Sequence, residues 1–400
     1  MTEYEVTFLA KGLPATVPFV GPETQERTFG KSFAARIGAN ENVFGPSPRV
    51  IKAIADAGAQ AWKYGDPEFF DLRHAIAAHH GVDPAHIMVG EGIDGLFGYL
   101  ARLFVSPGDK VVTSAGAYPT FNFHVTGYGG ELVTVPYRDD CEDIDALIDA
   151  AVAHQPKLIY IANPDNPMGS WWNAGDIESM IERVPEKSLL VLDEAYGEFA
   201  PQGTLPAINT SDSRVLRFRT FSKAYGLAGI RVGYVIGEAA LINEFNKIRN
   251  HFGVGCVAQA ACLAALADQD YLNQVINKVA HAREQLCEIA SVNGLNSLPS
   301  AANFVAIDCG HDGDFAVRVL NDLIGQGVFV RMPGIAPLNR CIRVSEDTRK
   351  ISNFLPERCP KHFWRHRDKT PGLKEFLFIF AGDKVCRLHW NTPEQLSTAL

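Results

Sequence analysis

The 400-residue sequence contains no apolar run approaching the ~18 residues needed to span a bilayer. Its first residues, Met-Thr-Glu-Tyr-Glu, carry acids where a secretory leader would carry Lys or Arg. It has no internal repeat and no low-complexity tract. Positive charge is in deficit: 37 Lys and Arg stand against 46 Asp and Glu, a formal net charge of −9. That sign argues against a polyanion such as nucleic acid as the main partner. The 8 cysteines never form C-x-x-C and sit in apolar segments, which points to reduced, buried thiols rather than a disulfide framework or a metal site. The expectation is a cytoplasmic protein with no membrane and no nucleic-acid partner.

What is present is the balance of a globular chain, 46% hydrophobic and 21% charged. Four hundred residues exceed one ordinary core, so two packed domains are expected. Ser47-Pro48 reads as a cap followed by proline at the first helical position, opening a helix to about residue 60. Short apolar runs at 87–89, 110–113, 131–135, 158–161, 189–192, 215–219 and 232–236 then alternate with amphipathic stretches such as 144–153 and 177–183. This alternation predicts an α/β fold with a mostly parallel seven-stranded sheet. Beyond Glu238 the pattern changes to long helices over 239–250 and 257–292, then to a smaller set at 304–307, 315–325, 328–331 and 341–344. The boundaries drawn are an N-terminal arm and small-domain part over 1–50, a large domain over 51–250, a small domain over 251–358 and an extension over 359–400. Functional residues should gather outside the carboxyl ends of the large sheet's strands.

Four segments carry chemistry. In Thr220-Phe-Ser222-Lys223-Ala-Tyr-Gly-Leu-Ala-Gly-Ile-Arg231, one lysine stands among hydroxyls and small residues, with an arginine eight positions on. A desolvated amine near other cations is a nucleophile, and the hydroxyls with Arg231 suit a phosphate ester. In Ser188-Leu-Leu-Val-Leu-Asp193-Glu-Ala-Tyr196, an acid ends an apolar strand, where it can pair with a protonated ring nitrogen. Asn163-Pro-Asp-Asn166-Pro-Met-Gly169 is a turn able to project an amide into the same crevice. Gly90-Glu-Gly92-Ile93-Asp94-Gly95 matches G-x-G-x-x-G, yet the next strand, Val111-Val-Thr-Ser-Ala115, lacks the acid that a dinucleotide site requires. A single phosphate on the free N–H groups of the following helix is the better use of this turn.

Together these segments resemble the fold-type I pyridoxal-phosphate enzymes, and within them the histidinol-phosphate aminotransferases. The resemblance runs from about residue 15 to 358 and takes in Asn40-Glu-Asn-Val-Phe-Gly-Pro-Ser-Pro48, Trp62-Lys-Tyr64-Gly-Asp66, Tyr118-Pro-Thr-Phe121 and Cys341-Ile-Arg343-Val-Ser345. It implies that Lys223 binds pyridoxal 5'-phosphate covalently and shuttles the proton. It further implies Asp193 on the pyridine nitrogen, Asn166 and Tyr196 on the phenolate oxygen, and Phe121 on the ring face. Thr220, Ser222, Arg231 and the backbone of Gly92, Ile93 and Asp94 would hold the phosphate. Tyr64 would reach the cofactor of a neighbouring subunit, which implies a homodimer. On the substrate side the implied residues are Phe19, Asn40, Arg331 and Arg343, with an amino donor and a 2-oxo acid as substrates.

The sequence departs from that family in places. Pro18-Phe19-Val20-Gly21 aligns where a tyrosine would meet a substrate phosphate, Val43 replaces a proline, and Ile93 stands where serine is frequent. Residues 359–400, with 7 Lys and Arg against 4 Asp and Glu, match no pattern and read either as a docking extension or as the product of a shifted reading frame. The alternatives are an aromatic amino acid aminotransferase or a decarboxylase on the same fold. A ligand-sensing regulator would need a DNA-binding domain for which the residues before Asn40 leave no room. His79-His80 is read as a solvated helix end, and Trp171-Trp172 as packing or interface residues.

Overall fold

The computed structural model describes residues 5–15 and 20–346. Phe19 and the 359–400 extension lie outside the described residues.

Ser47 accepts a hydrogen bond from the Val50 N–H at 3.2 Å, and Pro48 opens the helix Pro48–Gly58 as the sequence predicts. The strands in chain order are β1 (Ala35–Arg36), β2 (Ile87–Gly90), β3 (Lys110–Ser114), β4 (Glu131–Val135), β5 (Leu158–Ala162), β6 (Leu189–Asp193), β7 (Val215–Thr220), β8 (Gly233–Ile236), β9 (Asn296–Ser297), β10 (Phe304–Asp308), β11 (Val328–Phe329) and β12 (Cys341–Ser345). Seven of them form one sheet in the order β2-β8-β7-β6-β5-β3-β4. Only β8 runs against the rest. The seven-stranded, mostly parallel α/β sheet expected from the alternating pattern is present.

Strands covered on both faces read as unbroken apolar runs, and β5 is buried along its whole length. β7 breaks that rule with Arg217 and Arg219, both buried. They are tolerated because Glu194 meets them at 2.6 and 2.9 Å, and Glu198 meets Arg219 at 3.2 Å. Burial alone would raise the Glu194 pKa, but the two guanidinium groups more than reverse this and hold it below its ordinary value.

The chain beyond Glu238 differs from the expected run of long helices. The segment over 239–250 is a short helix, Ala239–Glu244, followed by a 3-10 turn, Phe245–Lys247. The long stretch divides into Cys256–Leu266 and Gln269–Val292. The first of these packs on helix Pro48–Gly58 and the second on β9 and β10, so tertiary contacts set the break. β12, β10 and β9 form an antiparallel sheet, and β1 pairs in parallel with β11. Their core centres on Leu286, Val305, Ile307, Leu323 and Val344.

His80 is not the solvated helix end expected. Its Nε2 lies 2.8 Å from the Tyr234 hydroxyl, and burial with Arg219 nearby lowers its pKa to about 3. Trp172 packs against the large sheet's core and donates from Nε1 to the Glu142 carbonyl at 2.9 Å.

Candidate active site

The register of the large sheet sets Ala162 beside Asp193, Asp193 beside Phe218 and Thr220 beside Gly233. The carboxyl ends of β5, β6 and β7 therefore open onto one cleft, as sheets of this kind require. Asn166, Asp193, Tyr196, Thr220, Ser222, Lys223 and Arg231 line it together with Ile93 and Asp94.

Lys223 follows β7 in a tight turn. At Gly226, φ is +69°, and a Cβ there would lie 2.5 Å from the Gly45 carbonyl carbon, so only glycine lets the two loops close. The Lys223 Nζ donates to the Asn40 carbonyl at 3.2 Å and stands 5.4 Å from the Tyr196 ring centroid. Asn40 is itself left-handed at φ 55°, a conformation asparagine tolerates better than most residues. Its Nδ2 donates to the Tyr196 hydroxyl at 2.9 Å, and its Oδ1 accepts from Ser345 at 3.1 Å.

Asp193 is buried at the floor. The Tyr160 hydroxyl donates to Oδ2 at 2.8 Å and the Ala195 N–H to Oδ1 at 3.0 Å. Burial outweighs both bonds and raises its pKa to about 6, with Asp94 and Glu194 adding to the rise. A cationic partner would reverse that shift.

The opposite end of the cleft suits a phosphate. Helix Gly92–Phe104 begins there with unsatisfied N–H groups. The Arg231 Nη1 lies 3.4 Å from the Ser222 hydroxyl, and Nη2 lies 3.6 Å from Asp94. A Cβ on Gly92, where φ is +76°, would meet Arg231 Nη2 at 2.6 Å. Glycine thus keeps the guanidinium over the helix start.

Arg343 bounds the third side. It donates to the Asn166 Oδ1 and, at 3.2 Å, to the Gly38 carbonyl. Its backbone bridges to that of Arg331, whose guanidinium donates to the Val20 carbonyl. Burial first, and the Arg343 charge second, lower the Arg331 pKa to about 10.

The profile of the family "Aminotransferase class I and II" matches residues 35–353. The chain belongs to that family. It is 34% identical over 346 residues to the histidinol-phosphate aminotransferase of Geobacillus sp., covering 85% of this chain and 93% of that one. It is 36% identical over 344 residues to histidinol-phosphate aminotransferase 2 of Carboxydothermus hydrogenoformans, covering 84% and 93%. The crystal structure of histidinol-phosphate aminotransferase from Sinorhizobium meliloti in complex with pyridoxal-5'-phosphate is 52% identical, with a TM-score of 0.84 over 86% of this chain and 94% of that one. The chain is a pyridoxal-phosphate-dependent aminotransferase of fold type I.

Two expected residues of this aminotransferase stand outside the cleft. Phe121, assigned to the ring face, is buried in the core, stacked on Tyr160 at 4.5 Å and edge-on to Phe97 at 5.3 Å. Tyr118 takes the place on the cleft wall, its hydroxyl donating to Asp94 at 3.0 Å. Pro119 opens the helix Pro119–Gly127, which leaves Tyr118 as its cap facing the cleft and turns Phe121 inward. Tyr64 is 78% exposed and pairs with Phe252 at 4.6 Å between ring centroids. Tyr160 also supports the site through Asp193, and its lone hydroxyl in the buried strand β5, two residues before the position beside Asp193, is the sequence signal for a bonded partner there.

Proposed function

We propose that this aminotransferase takes the amino group of histidinol phosphate, or of a closely related amino-compound, and delivers it to a 2-oxo acid. The observation that carries the reading is the pairing of Arg331 and Arg343 beside the Lys223 cleft. Two guanidinium groups held on one backbone bridge fit a phosphate in one half-reaction and a carboxylate in the other. The relatives' names agree with that donor.

Bound pyridoxal phosphate supplies an aldehyde for the amine and a ring that takes up the electron pair left when the α proton departs. The chain's residues do the rest. Lys223 would hold the cofactor covalently and, once released, carry the proton on Nζ, steadied by the Asn40 carbonyl. Asp193 would face the ring nitrogen, its carboxylate kept in place by Tyr160 and Ala195. Asn166 offers Nδ2, because Arg343 already occupies its Oδ1. Tyr196 accepts from Asn40 and so has its own proton to donate. These two would bond the phenolate oxygen. Thr220, Ser222, Arg231 and the start of helix Gly92–Phe104 would hold the phosphate, and Tyr118 would cover the ring face.

The exposed Tyr64 is proposed to reach the cofactor of a second copy, so the working unit is a homodimer. Mixed dimers of Tyr64→Ala and Lys223→Ala chains should then recover one working site.

A second reading rests on Phe19, which stands where the resemblance expects a phosphate-binding tyrosine. One lost hydrogen bond to a charged group is worth about 1.5–3 kcal/mol, roughly a 10- to 150-fold preference. On this reading an unphosphorylated aromatic amino acid is preferred. Steady-state kcat/KM for histidinol phosphate, phenylalanine and tyrosine with 2-oxoglutarate decides the matter. A tenfold or greater advantage for histidinol phosphate supports the first reading, and a tenfold advantage for either amino acid overturns it.

A further inference from the structure

A second cavity, of about 290 Å³, lies at the β2 edge of the large sheet. None of the residues lining it lines the catalytic cleft. Its apolar wall comes from Phe69, Met88 and Ile242. Two arginines, Arg73 and Arg249, enter the same space.

Neither of these half-buried arginines has an ion pair among the described residues, whereas the buried Arg217 and Arg219 of the large sheet both do. Arg73 donates to the Pro84 carbonyl at 2.8 Å, and Arg249 donates from Nε to the Asn246 Oδ1 at 2.7 Å. One further nitrogen of each, Arg73 Nε and Arg249 Nη1, is buried without a hydrogen-bond partner. Burial and the Arg73 charge lower the Arg249 pKa, and Glu91 and Glu68, neither of them ion-paired to it among the described residues, offset this only in part. The contrast with Arg217 and Arg219, which share Glu194, is direct. Two guanidinium groups beside one cavity repel each other, and an oxyanion between them would remove the repulsion and satisfy their donors. The Arg249 guanidinium also stands 5.3 Å from the Phe69 ring centroid, so charge and apolar surface adjoin.

We infer that this cavity is a binding site for a small organic carboxylate, separate from the catalytic cleft. The carboxylate would lie between Arg73 and Arg249, and an apolar body would lie on Phe69, Met88 and Ile242. Inorganic phosphate would meet the guanidinium groups and leave the apolar wall uncovered.

The test uses the holoenzyme, with 4-fluorobenzoate as the probe, followed by fluorine NMR. A saturable site should appear that survives Arg343→Gln and weakens at least tenfold in Arg249→Gln, as loss of a charge-assisted hydrogen bond predicts. Asn243→Trp approaches the cavity from an exposed surface position. It should weaken binding similarly without altering either arginine, and the visible absorbance of bound cofactor reports that each variant is folded. Binding unchanged in both folded variants overturns the assignment. So does binding lost in Arg343→Gln, or displacement of the probe by equimolar inorganic phosphate.

Discussion

Replacing Asp193 by asparagine separates what this side chain does for the fold from what it does for the reaction. In the apoprotein its carboxyl is raised from 3.8 to about 6, chiefly by burial. At 1.36 kcal/mol per pKa unit, the ionised form costs the fold about 3 kcal/mol above pH 6. The sign follows from the raised value. Below about pH 4 the group is protonated in folded and unfolded chains alike and the penalty is absent; it grows as pH rises to about 6 and then stays constant. Asparagine removes the penalty but weakens the bonds from Tyr160 and Ala195, a loss of roughly 1–2 kcal/mol. Asp193→Asn apoprotein should therefore be about 1–2 kcal/mol more stable than wild type at pH 8 and no more stable at pH 4. The reaction moves the other way. A charge pair at about 4 Å is worth about 4 kcal/mol at an effective dielectric of 20, so if Asp193 faces the ring nitrogen as proposed, its loss should lower kcat by about 10²- to 10³-fold. Urea denaturation of the apoprotein at the two pH values and single-turnover kinetics of the holoenzyme measure both arms. A variant less stable at pH 8, or one with kcat within fivefold of wild type, refutes the reasoning.

Lys223→Ala should abolish turnover, and borohydride reduction of the wild type followed by peptide mapping should place the pyridoxyl group on Lys223 and on no other lysine. Gly92→Ala puts a Cβ 2.6 Å from Arg231 Nη2 at a φ of +76°, so the guanidinium must move off the helix start. Titration should show cofactor binding weakened by roughly 10- to 100-fold, in line with a lost charge-assisted contact, and an unchanged affinity would contradict the assigned phosphate cup. Glu194→Gln leaves Arg217 and Arg219 buried with half their counter-charge. It should destabilise the chain by about 3–5 kcal/mol in chemical denaturation, and a loss below 1 kcal/mol would show that water reaches the pair.

Much of this protein was fixed by local sequence. Ser47-Pro48 starts its helix wherever the chain goes, because capping and a preset φ are properties of those residues. The apolar runs from 87 to 236 form strands of one sheet because strands covered on both faces need unbroken hydrophobicity. The motif around Lys223, the acid at Asp193 and the glycines from 90 to 95 meet at one cleft because each ends or follows a strand of that sheet. Tertiary structure decided the rest. Whether Tyr118 or Phe121 faces the cleft depends on how helix Pro119–Gly127 is rotated against Tyr160 and Phe97, and both residues are aromatic and three positions apart. Arg217 and Arg219 look like exposed charges until Glu194, more than twenty residues earlier, is folded against them. Arg331 and Arg343, proposed to bind the substrate's anionic groups, are brought together only when their backbones bridge. The cavity holding Arg73 and Arg249 exists only because residues 176 positions apart close around the same space. Contacts of that kind arise from packing between distant segments, which no local pattern of residues encodes.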